Sequence, residues 1–406
     1  MIVTAEWLST TPARRILETL QEAGHEAFYV GGCVRDTLMG LTPKDIDIAT
    51  AATPDVVTEV MQAAGMGVVP TGIKHGTVTV KAGGQTFEVT TYRHDVTTDG
   101  RNATVAYTRY VDEDAARRDF TVNALYMDKA GVVLDSSGTG IEDIMHRRIR
   151  FVGDAHTRCK EDYLRILRYF RFYARFGGGV VDSYALSAVR AHWHKVFEVV
   201  SAERIMMEIR SILSLPDPTP ALVMMDDLDI LRHLLGTRGY NDPHWMYAVL
   251  RAEREAGAAP DWHRRYVFLT RGTMPIFPIS RAEENRLRQT HQSTPYGASP
   301  AIVAFQYRDA DIALDAHLLR CAERFGSPDR REALDAEIAR GLAAVLPVDG
   351  PAFFEHGIGP GRVLGSALHF AKEAFKASDL RATADQLIPH AMQKVLQHHG
   401  KESLAL

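Results

Sequence analysis

The chain has 406 residues, of which 46% are apolar and 24% charged, and its formal net charge is −4. This length predicts two to four globular domains, and no apolar run approaches the roughly 20 residues that span a bilayer. Residues 1–12 also lack the basic and then apolar order of a signal peptide. The three cysteines lie far apart, which excludes a disulfide framework and a zinc site and indicates a reduced, cytoplasmic protein with no membrane partner.

Two glycines and an arginine form the first candidate binding element. The strand predicted over 26–30 ends at Gly31 and Gly32, where backbone N–H groups can approach phosphate oxygens because no side chain intervenes. The helix predicted over 34–41 then directs its N-terminus at the anion. Arg35 adds a planar fork of donors that can neutralise a triphosphate. The stretch is typical of a nucleoside triphosphate site.

Two aspartates follow at alternate positions. Asp45 and Asp47 lie on a strand predicted over 45–49, so their carboxylates share one face. Adjacent carboxylates repel unless a cation lies between them, and hard oxygen ligands beside phosphates suit Mg²⁺. A lone Gly-Gly is usually a turn and a lone Asp-x-Asp a solvated edge, but their combination within about seventeen residues indicates two-metal phosphoryl transfer.

The run from Tyr29 to Thr53 resembles motif A of the class II tRNA nucleotidyltransferases, the CCA-adding enzymes of the polymerase beta superfamily. The resemblance implies an α+β nucleotidyltransferase head with a small mixed β-sheet, followed by an all-α neck, body and tail. It implies template-independent addition of C, C and A to the acceptor end of tRNA, using CTP and ATP and releasing pyrophosphate. Asp45 and Asp47 would hold two Mg²⁺ ions, one lowering the pKa of the terminal 3′-hydroxyl and one stabilising the departing pyrophosphate.

Antiparallel strands are predicted over 68–80 and 85–91, from their alternating apolar residues. On the second of these, Glu88 is either a third carboxylate of the metal site or an outward-facing strand residue. The polar stretch 92–106 is predicted to be a mobile loop. The resemblance places here a flexible loop implicated in the switch from C to A addition, although an ordinary polar connection fits the composition equally well.

Residues 117–124, which read Arg-Arg-Asp-Phe-Thr-Val-Asn-Ala, closely resemble motif B of the same family. Chemically, Arg118 can hold phosphate and Asp119 can accept hydrogen bonds from ribose hydroxyls. Asn123 can donate to the triphosphate or fix the turn. Recognition of a 2′-hydroxyl is how a protein distinguishes ribonucleotides from deoxyribonucleotides.

Residues 161–171 begin Glu-Asp-x-x-Arg and resemble motif D, in which protein side chains select the nucleotide without a template. Asp162 lies three residues before Arg165, close enough for the two to act as one unit that imitates a base-pairing edge. Arg168 and Arg171 follow on the same helical face and, by the resemblance, face nucleotide or phosphate. Between residues 145 and 175 there are nine Lys or Arg and three acids, a stripe that is either a phosphate track or a solvated face.

Residues 201–209 match motif E, with a predicted supporting role for Glu203 and Arg204 in the neck. Helical periodicity continues beyond residue 214, including helices predicted over 282–289, 302–324 and 329–345. The predicted divisions are a catalytic head (1–146), a helical neck with the nucleotide-selecting motif (147–214), a helical body (215–298) and a helical, tRNA-binding tail (299–406).

Three alternatives to a full CCA-adding enzyme stay open. The first is a split activity, either CC-adding or A-adding, and the polar stretch 95–101 disfavours the CC-only form. The second is a bacterial poly(A) polymerase, which the stretch 72–77 disfavours because it looks like the CCA-adding version of that strand. The third is a non-catalytic RNA-binding relative, in which loss of Asp45 or Asp47 would be expected, yet both are present.

Overall fold

The structure, a computed structural model, describes residues 1–73, 76–98, 103–178, 180–236, 241–295 and 297–399, with backbone only at 95–98, 103–105 and 399. These residues form two compact units, an N-terminal unit (Met1–Leu231) and a C-terminal unit (Arg232–Leu406). Every candidate site residue lies in the N-terminal unit. No helix among the described residues is long and apolar enough to cross a membrane.

The N-terminal unit is built on strands in one mixed sheet and one short ribbon. The strands are β1 (Ala27–Val30), β2 (Asp47–Thr50), β3 (Gly67–Gly72), β4 (Thr77–Ala82), β5 (Gln85–Thr91), β6 (Arg93–Thr98), β7 (Ala103–Tyr107), β8 (Leu125–Met127) and β9 (Val133–Asp135). In the described part of the chain the sheet order is β3-β4-β5-β2-β1-β8-β9, and β6 pairs with β7. The β2–β5 pair is parallel and the other pairs are antiparallel.

Helices cover the sheet and continue beyond it. They are α1 (Glu6–Thr10), α2 (Ala13–Glu22), α3 (Gly32–Leu38), α4 (Pro54–Ala63), α5 (Val111–Ala116), α6 (Gly140–Met145), α7 (Ala155–Glu161), α8 (Leu164–Phe176), α9 (Ser183–His192), α10 (His194–Val199), α11 (Ala202–Leu213) and α12 (Thr219–Asp227). A 3₁₀ turn, Thr121–Asn123, precedes β8. The helix predicted from Ile16, Leu17 and Leu20 is α2, and all three side chains are fully buried.

The register of the sheet positions the carboxylates. Asp47, the first residue of β2, is opposite Val30 at the end of β1. On the other side of β2, Ile48 pairs with Val89 in parallel register, so Glu88 and Asp47 are neighbours on adjacent strands. Side chains at neighbouring register positions project to the same face. The sheet therefore brings residue 47 and residue 88 together at the edge where β1 delivers its turn.

The stretch 92–106, predicted to be a loop, contains the two strands β6 and β7, and that prediction is wrong for the described residues. Their backbones pair in antiparallel register, from Arg93 opposite Tyr107 to Thr98 opposite Ala103. The β-branched residues among them favour extended backbone, a preference that outweighs the polar composition. Residues 99–102, on which the loop prediction also fell, lie outside the described residues.

The C-terminal unit is helical, as predicted. Its helices are α13 (Ile230–Leu235, which begins in the N-terminal unit), α14 (Met246–Glu255), α15 (Trp262–Thr270), α16 (Arg281–Ser293), α17 (Pro300–Tyr307), α18 (Ala310–Glu323), α19 (Arg331–Ala343), α20 (Gly350–Phe354), α21 (Arg362–Ala377) and α22 (Ala384–His399). The helix predicted over 302–324 is two helices, because Arg308 has a φ of 56° and Asp309 caps α18 by accepting from the Ile312 N–H.

The α+β class is confirmed: a mixed sheet in the N-terminal part of the chain and helices throughout the rest. The finer division into head (1–146), neck (147–214), body (215–298) and tail (299–406) stays a prediction.

Candidate active site

The turn after β1 has the geometry expected of a phosphate-binding element. Gly31 has a φ of 73°, and a Cβ there would lie 3.3 Å from Nη1 of Arg118. A residue with a side chain would thus be strained and would crowd a guanidinium. Helix α3 begins at Gly32, so its unpaired N–H groups lie at the end of the sheet.

Arg35 lies beneath this turn and is only 6% exposed. Its Nε and Nη2 donate to Oδ1 of Asp36, at 2.9 and 2.6 Å, and its Nη1 donates to Oδ1 of Asn123 at 2.6 Å. The guanidinium carbon also lies 3.9 Å from the centre of the Phe176 ring. Arg35 is therefore a fixed positive charge under the turn, held from three sides.

The carboxylates at the end of β2 form the most electrically uncompensated group of the site. Burial raises the pKa of Asp47 to about 6, with further contributions from the negative charges of Glu88 and Asp45, and Arg118 opposes the shift. Asp45 lies in a bend just before β2, which begins two residues later than predicted. A cavity of about 670 Å³ adjoins these side chains; its lining residues are Lys44, Asp45, Ile46, Asp47, Gly84, Gln85, Thr86, Phe87 and Glu88.

The carboxylate group fits a divalent cation in charge and donor type. Asp47 is destabilised in its charged form by two other carboxylates, and a cation beside them would remove that cost. Among the described residues, no three His, Cys, Asp or Glu side chains are already gathered around one ion position. The binding of metal by Asp45 and Asp47 therefore stays a prediction, and phosphate and water oxygens would be needed to complete the coordination.

Motif B begins with an ionic cluster around Asp114, a residue that the sequence reasoning missed. Asp114 is 1% exposed and accepts from Arg117 and Arg118 and from the Tyr126 hydroxyl, the last at 2.6 Å. Burial alone would raise the pKa of Asp114, but the two arginines and the tyrosine hydrogen bond outweigh it and hold the pKa below its ordinary value. The spacing could have revealed this cluster, since Asp114 in α5 precedes the two arginines, which lie just past the end of that helix, by three and four residues.

Asp119 has a different role in the structure from the predicted acceptance of ribose hydroxyls. Its Oδ1 accepts from the Phe120 N–H at 2.8 Å and from Nδ2 of Asn123 at 3.0 Å. Its Oδ2 accepts from Nε and Nη2 of Arg168. Because these four donors occupy the acceptor positions of the carboxylate, Asp119 serves to hold Arg168 and Asn123 in place. Its contact with nucleotide stays a prediction.

Motif D spans a break between helices. Asp162 is the C-terminal cap of α7, and α8 begins at Leu164, so the predicted single helical stretch is interrupted. Asp162 accepts from Nη2 of Arg204 at 2.8 Å, whereas Arg165 donates to Oε2 of Glu161 at 2.6 Å. The structure therefore shows no direct side-chain pair between Asp162 and Arg165; each is oriented by a different partner.

Arg171, a further arginine of motif D, is held in place by helix α11. Nε of Arg171 donates to Oε2 of Glu208 at 2.6 Å, and Nη2 approaches Oε1 at 3.4 Å. Glu208 and Arg204 both belong to α11, which holds motif D through charges that local spacing could not reveal, while the supporting role of Glu203 stays a prediction. These anchors lie more than 35 residues away from their partners in sequence.

Most arginines of the basic stripe over 145–175 are paired with carboxylates, and whether the stripe contacts phosphate stays a prediction. The paired arginines are Arg148, Arg150, Arg158, Arg165, Arg168 and Arg171.

Comparisons with known proteins agree with this geometry. A family model described as "Poly A polymerase head domain" matches residues 27–150, and one described as "Probable RNA and SrmB- binding site of polymerase A" matches residues 185–237. The chain is 31% identical to the "CCA tRNA nucleotidyltransferase 1, mitochondrial" of Mus musculus, over 94% of this chain and 90% of that protein. It is 30% identical to the "CCA-adding enzyme" of Lactobacillus helveticus, over 95% of this chain and 96% of that protein.

A solved structure gives the same result. The crystal structure of the Bacillus stearothermophilus CCA-adding enzyme in complex with CTP matches with a TM-score of 0.71 and 26% identity, covering 94% of this chain and 96% of that one. The similarity therefore extends over nearly the whole length of the two sequence relatives and of the Bacillus stearothermophilus enzyme, and it includes both motif A and motif B. The chain belongs to the CCA tRNA nucleotidyltransferase family, the CCA-adding enzymes.

Proposed function

We propose that this chain adds C, C and A in turn to the 3′ end of tRNA, using CTP and ATP and releasing pyrophosphate. In each addition the terminal 3′-oxygen bonds to the α-phosphorus, the bond from that phosphorus to pyrophosphate breaks, and the hydroxyl proton passes to solvent. The observation that supports this most is the uncompensated carboxylate group of Asp45, Asp47 and Glu88 beside the Gly31–Gly32 turn.

Asp45 and Asp47 are the proposed ligands of Mg²⁺, with Glu88 close enough in the sheet register to contribute. Bound there, the ions would supply a lowered pKa for the 3′-hydroxyl and compensation for the charge on departing pyrophosphate. The residues themselves contribute a fixed anionic site whose position the β2–β5 register determines. No protein general base is required by this proposal.

The triphosphate is proposed to lie over the turn, against the N-terminus of α3. Gly32 offers its backbone N–H, and Arg35, which is paired with the Asp36 carboxylate, holds a fixed position beneath the turn. Arg118 is close to Gly31 and lowers the pKa of Asp47, so its charge bridges the glycine turn and the carboxylates. These residues are already in place in the structure, which reduces the entropy lost on binding.

The nucleobase is proposed to meet the motif D side chains Asp162, Arg165, Arg168 and Arg171. Among these, the side chains of Asp162 and Arg168 are 29% and 33% exposed, so both can reach a ligand while held by their protein partners. Discrimination then depends on donors and acceptors in fixed positions, since a mismatched buried polar group costs about 1–3 kcal/mol.

The proposal also covers the binding partners of the chain and its cellular location. The relatives' names place CCA addition on tRNA, and one structural relative was solved with CTP, which supports the acceptor end of tRNA and nucleotides as the partners here. The cysteines Cys33, Cys159 and Cys321 are free thiols, which supports the cytoplasmic location predicted from the sequence.

The test is nucleotide incorporation with Mg²⁺ and three tRNA transcripts, ending at the discriminator base, at C and at CC. CTP and ATP are supplied separately and together. We expect the shortest transcript to gain CCA and then stop. Extension of only the CC-ending transcript would indicate an A-adding enzyme, and addition of CC without A a CC-adding one. A long A tract would indicate a poly(A) polymerase, and tRNA binding without incorporation a non-catalytic relative.

A further inference from the structure

A continuous chain of hydrogen bonds joins the proposed triphosphate-binding element to the proposed base-selecting helix. It starts at Arg35 under the glycine turn, whose Nη1 donates to Oδ1 of Asn123 at 2.6 Å. Nδ2 of Asn123 donates to Oδ1 of Asp119 at 3.0 Å. Oδ2 of Asp119 then accepts from Nε of Arg168 at 2.9 Å, on α8. Side chains from three separate sequence motifs are thus connected through one amide.

The chemistry of the chain requires at its centre a side chain that both accepts and donates, as the Asn123 amide does. An arginine can only donate and an ionised carboxylate can only accept, so the residue between them must accept on one side and donate on the other. These partners also determine the orientation of the Asn123 amide, with its oxygen toward Arg35 and its nitrogen toward Asp119. Neither leucine nor aspartate can make both bonds.

Burial makes the chain stiff. Arg35 is 6% exposed and Asn123 is 8% exposed, so solvent does not compete effectively for these bonds. The phenyl rings of Phe172 and Phe176, on α8, lie 5.4 and 3.9 Å from the Arg35 guanidinium carbon and close one side of it. In such surroundings hydrogen bonds are stronger, and breaking one leaves a buried polar group unpaired.

We infer that Asn123 is a specificity-determining positioning residue: it sets where Arg168 stands relative to the bound triphosphate. The inference rests on the proposed function and assigns Asn123 a task other than donation to phosphate. Once the triphosphate is fixed by the turn, the position of the base edge follows from the nucleotide's length. Arg168 can discriminate between bases only if its distance from the turn is also fixed, and Asn123 is the link that fixes it.

The test compares Asn123→Leu, which removes both bonds, with Asn123→Asp, which keeps an acceptor for Arg35 but opposes Asp119 with a like charge. The matched control is Asn241→Leu in the C-terminal unit, because Asn241 likewise accepts from an arginine (Arg271 Nε, 2.8 Å) and donates, to the Phe268 carbonyl at 2.6 Å. For each protein, kcat/KM is measured for CTP and for UTP on a tRNA ending at the discriminator base. Equilibrium binding of both nucleotides is measured alongside and supplies the same ratio where turnover is too slow.

We expect the preference for CTP over UTP to fall about tenfold in Asn123→Leu and further in Asn123→Asp, with tRNA affinity unchanged and Asn241→Leu like wild type. Two results would overturn the inference: an unchanged preference with KM raised equally for both nucleotides, which indicates direct triphosphate contact, or an Asn123→Asp variant with wild-type preference. If wild-type protein fails to add CMP, the proposed function fails instead, and the two failures are thereby distinguished.

Discussion

Two groups of carboxylates in the N-terminal unit have opposite electrostatic environments. Asp47, beside Asp45 and Glu88, has its pKa raised to about 6 by burial and by those neighbours. The pKa values of Asp114 and Asp119 lie below their ordinary value, because arginine charges and hydrogen bonds outweigh the cost of burial. Among the residues that the structure describes, Asp47 has no ion-pair partner, while Asp114 and Asp119 are each paired with arginine.

The difference separates ligand-binding residues from supporting ones. A protein that leaves negative charge uncompensated loses stability there, and such strained groups cluster at functional sites. A carboxylate whose acceptor positions are filled by protein donors contributes to the rigidity of the site instead. By this distinction Asp119 supports Arg168 in the structure, while its predicted contact with ribose stays a prediction.

The largest expected effect follows from removing the uncompensated group. Asp45→Ala with Asp47→Ala should lower the rate of nucleotide incorporation by about 10³-fold or more, since the proposed ions contribute several kcal/mol to the transition state. Binding of tRNA, measured by gel shift, should be kept. The control replaces two exposed acids of α4, Asp55 and Glu59, with alanine. Unchanged incorporation in the Asp45→Ala, Asp47→Ala double variant would contradict the assignment of these residues as metal ligands.

Replacing Asp114, whose charge is compensated by two arginines, should mainly lower the free energy of unfolding. Asp114→Asn leaves Arg117 and Arg118 without their carboxylate at a position that is 1% exposed, and we expect a loss of about 3 kcal/mol in the free energy of unfolding. Thermal unfolding followed by circular dichroism measures it. A melting temperature equal to that of wild type would show that Asp114 is not a supporting residue.

The pH dependence of kcat/KM should reflect the titration of Asp47. Its charged form is needed to hold a cation, so at limiting Mg²⁺ the value of kcat/KM should rise about tenfold per pH unit below a pKa of about 6 and level off above it. Saturating Mg²⁺ should move this acidic limb to lower pH, because the ion competes with the proton. An acidic limb that is independent of Mg²⁺ concentration would contradict the assignment.

Glu88→Gln tests the undecided third carboxylate. Removing one negative neighbour should lower the pKa of Asp47, so the acidic limb should shift toward lower pH by a fraction of a unit. If Glu88 is also a metal ligand, the concentration of Mg²⁺ needed for half-maximal rate should rise as well. A shift without a change in Mg²⁺ requirement assigns Glu88 an electrostatic role only.

The smallest effect is expected for replacing Arg204, which pairs with Asp162 of motif D. The side chains of Arg204 and Asp162 are 35% and 29% exposed, so Arg204→Ala should cost no more than about 0.5 kcal/mol in unfolding free energy. The preference among nucleotides should still weaken, because Asp162 loses its fixed orientation. Lys195→Ala, which removes another exposed ion pair, is the control for the stability measurement.

Local sequence rules predicted the elements that depend on near neighbours. The glycine turn, helix α3 and the apolar face of α2 follow from backbone sterics and periodicity over a few residues. Asp45 and Asp47 were predicted as metal ligands because they lie two residues apart in the sequence, and the negative charge of Asp45 acts on Asp47 in the structure. The resemblance to known motifs supplied the reaction and the fold class.

Long-range partners could not be predicted in this way. The sequence around Arg171 does not indicate that Glu208 is its partner, and the sequence around Asp162 does not indicate Arg204. These charges meet only when α11 packs against α8. The ribbon β6–β7 was likewise missed, since the pairing of its two strands, from Arg93 opposite Tyr107 to Thr98 opposite Ala103, is not announced by the polar composition of the stretch. Tertiary packing decided all of these cases.

The most direct test of the distinction between the two groups is the thermal stability of Asp47→Asn and Asp119→Asn without divalent cations. Asp47 has a raised pKa, so it favours the folded state only while protonated, and this contribution is lost as pH rises through about 6. At pH 7.5 we expect Asp47→Asn to melt at a higher temperature than wild type and Asp119→Asn at a lower one. Near pH 4 the gain in melting temperature of Asp47→Asn should be lost. If both variants were destabilised at pH 7.5, Asp47 would be a supporting residue like Asp119, and the distinction would be wrong.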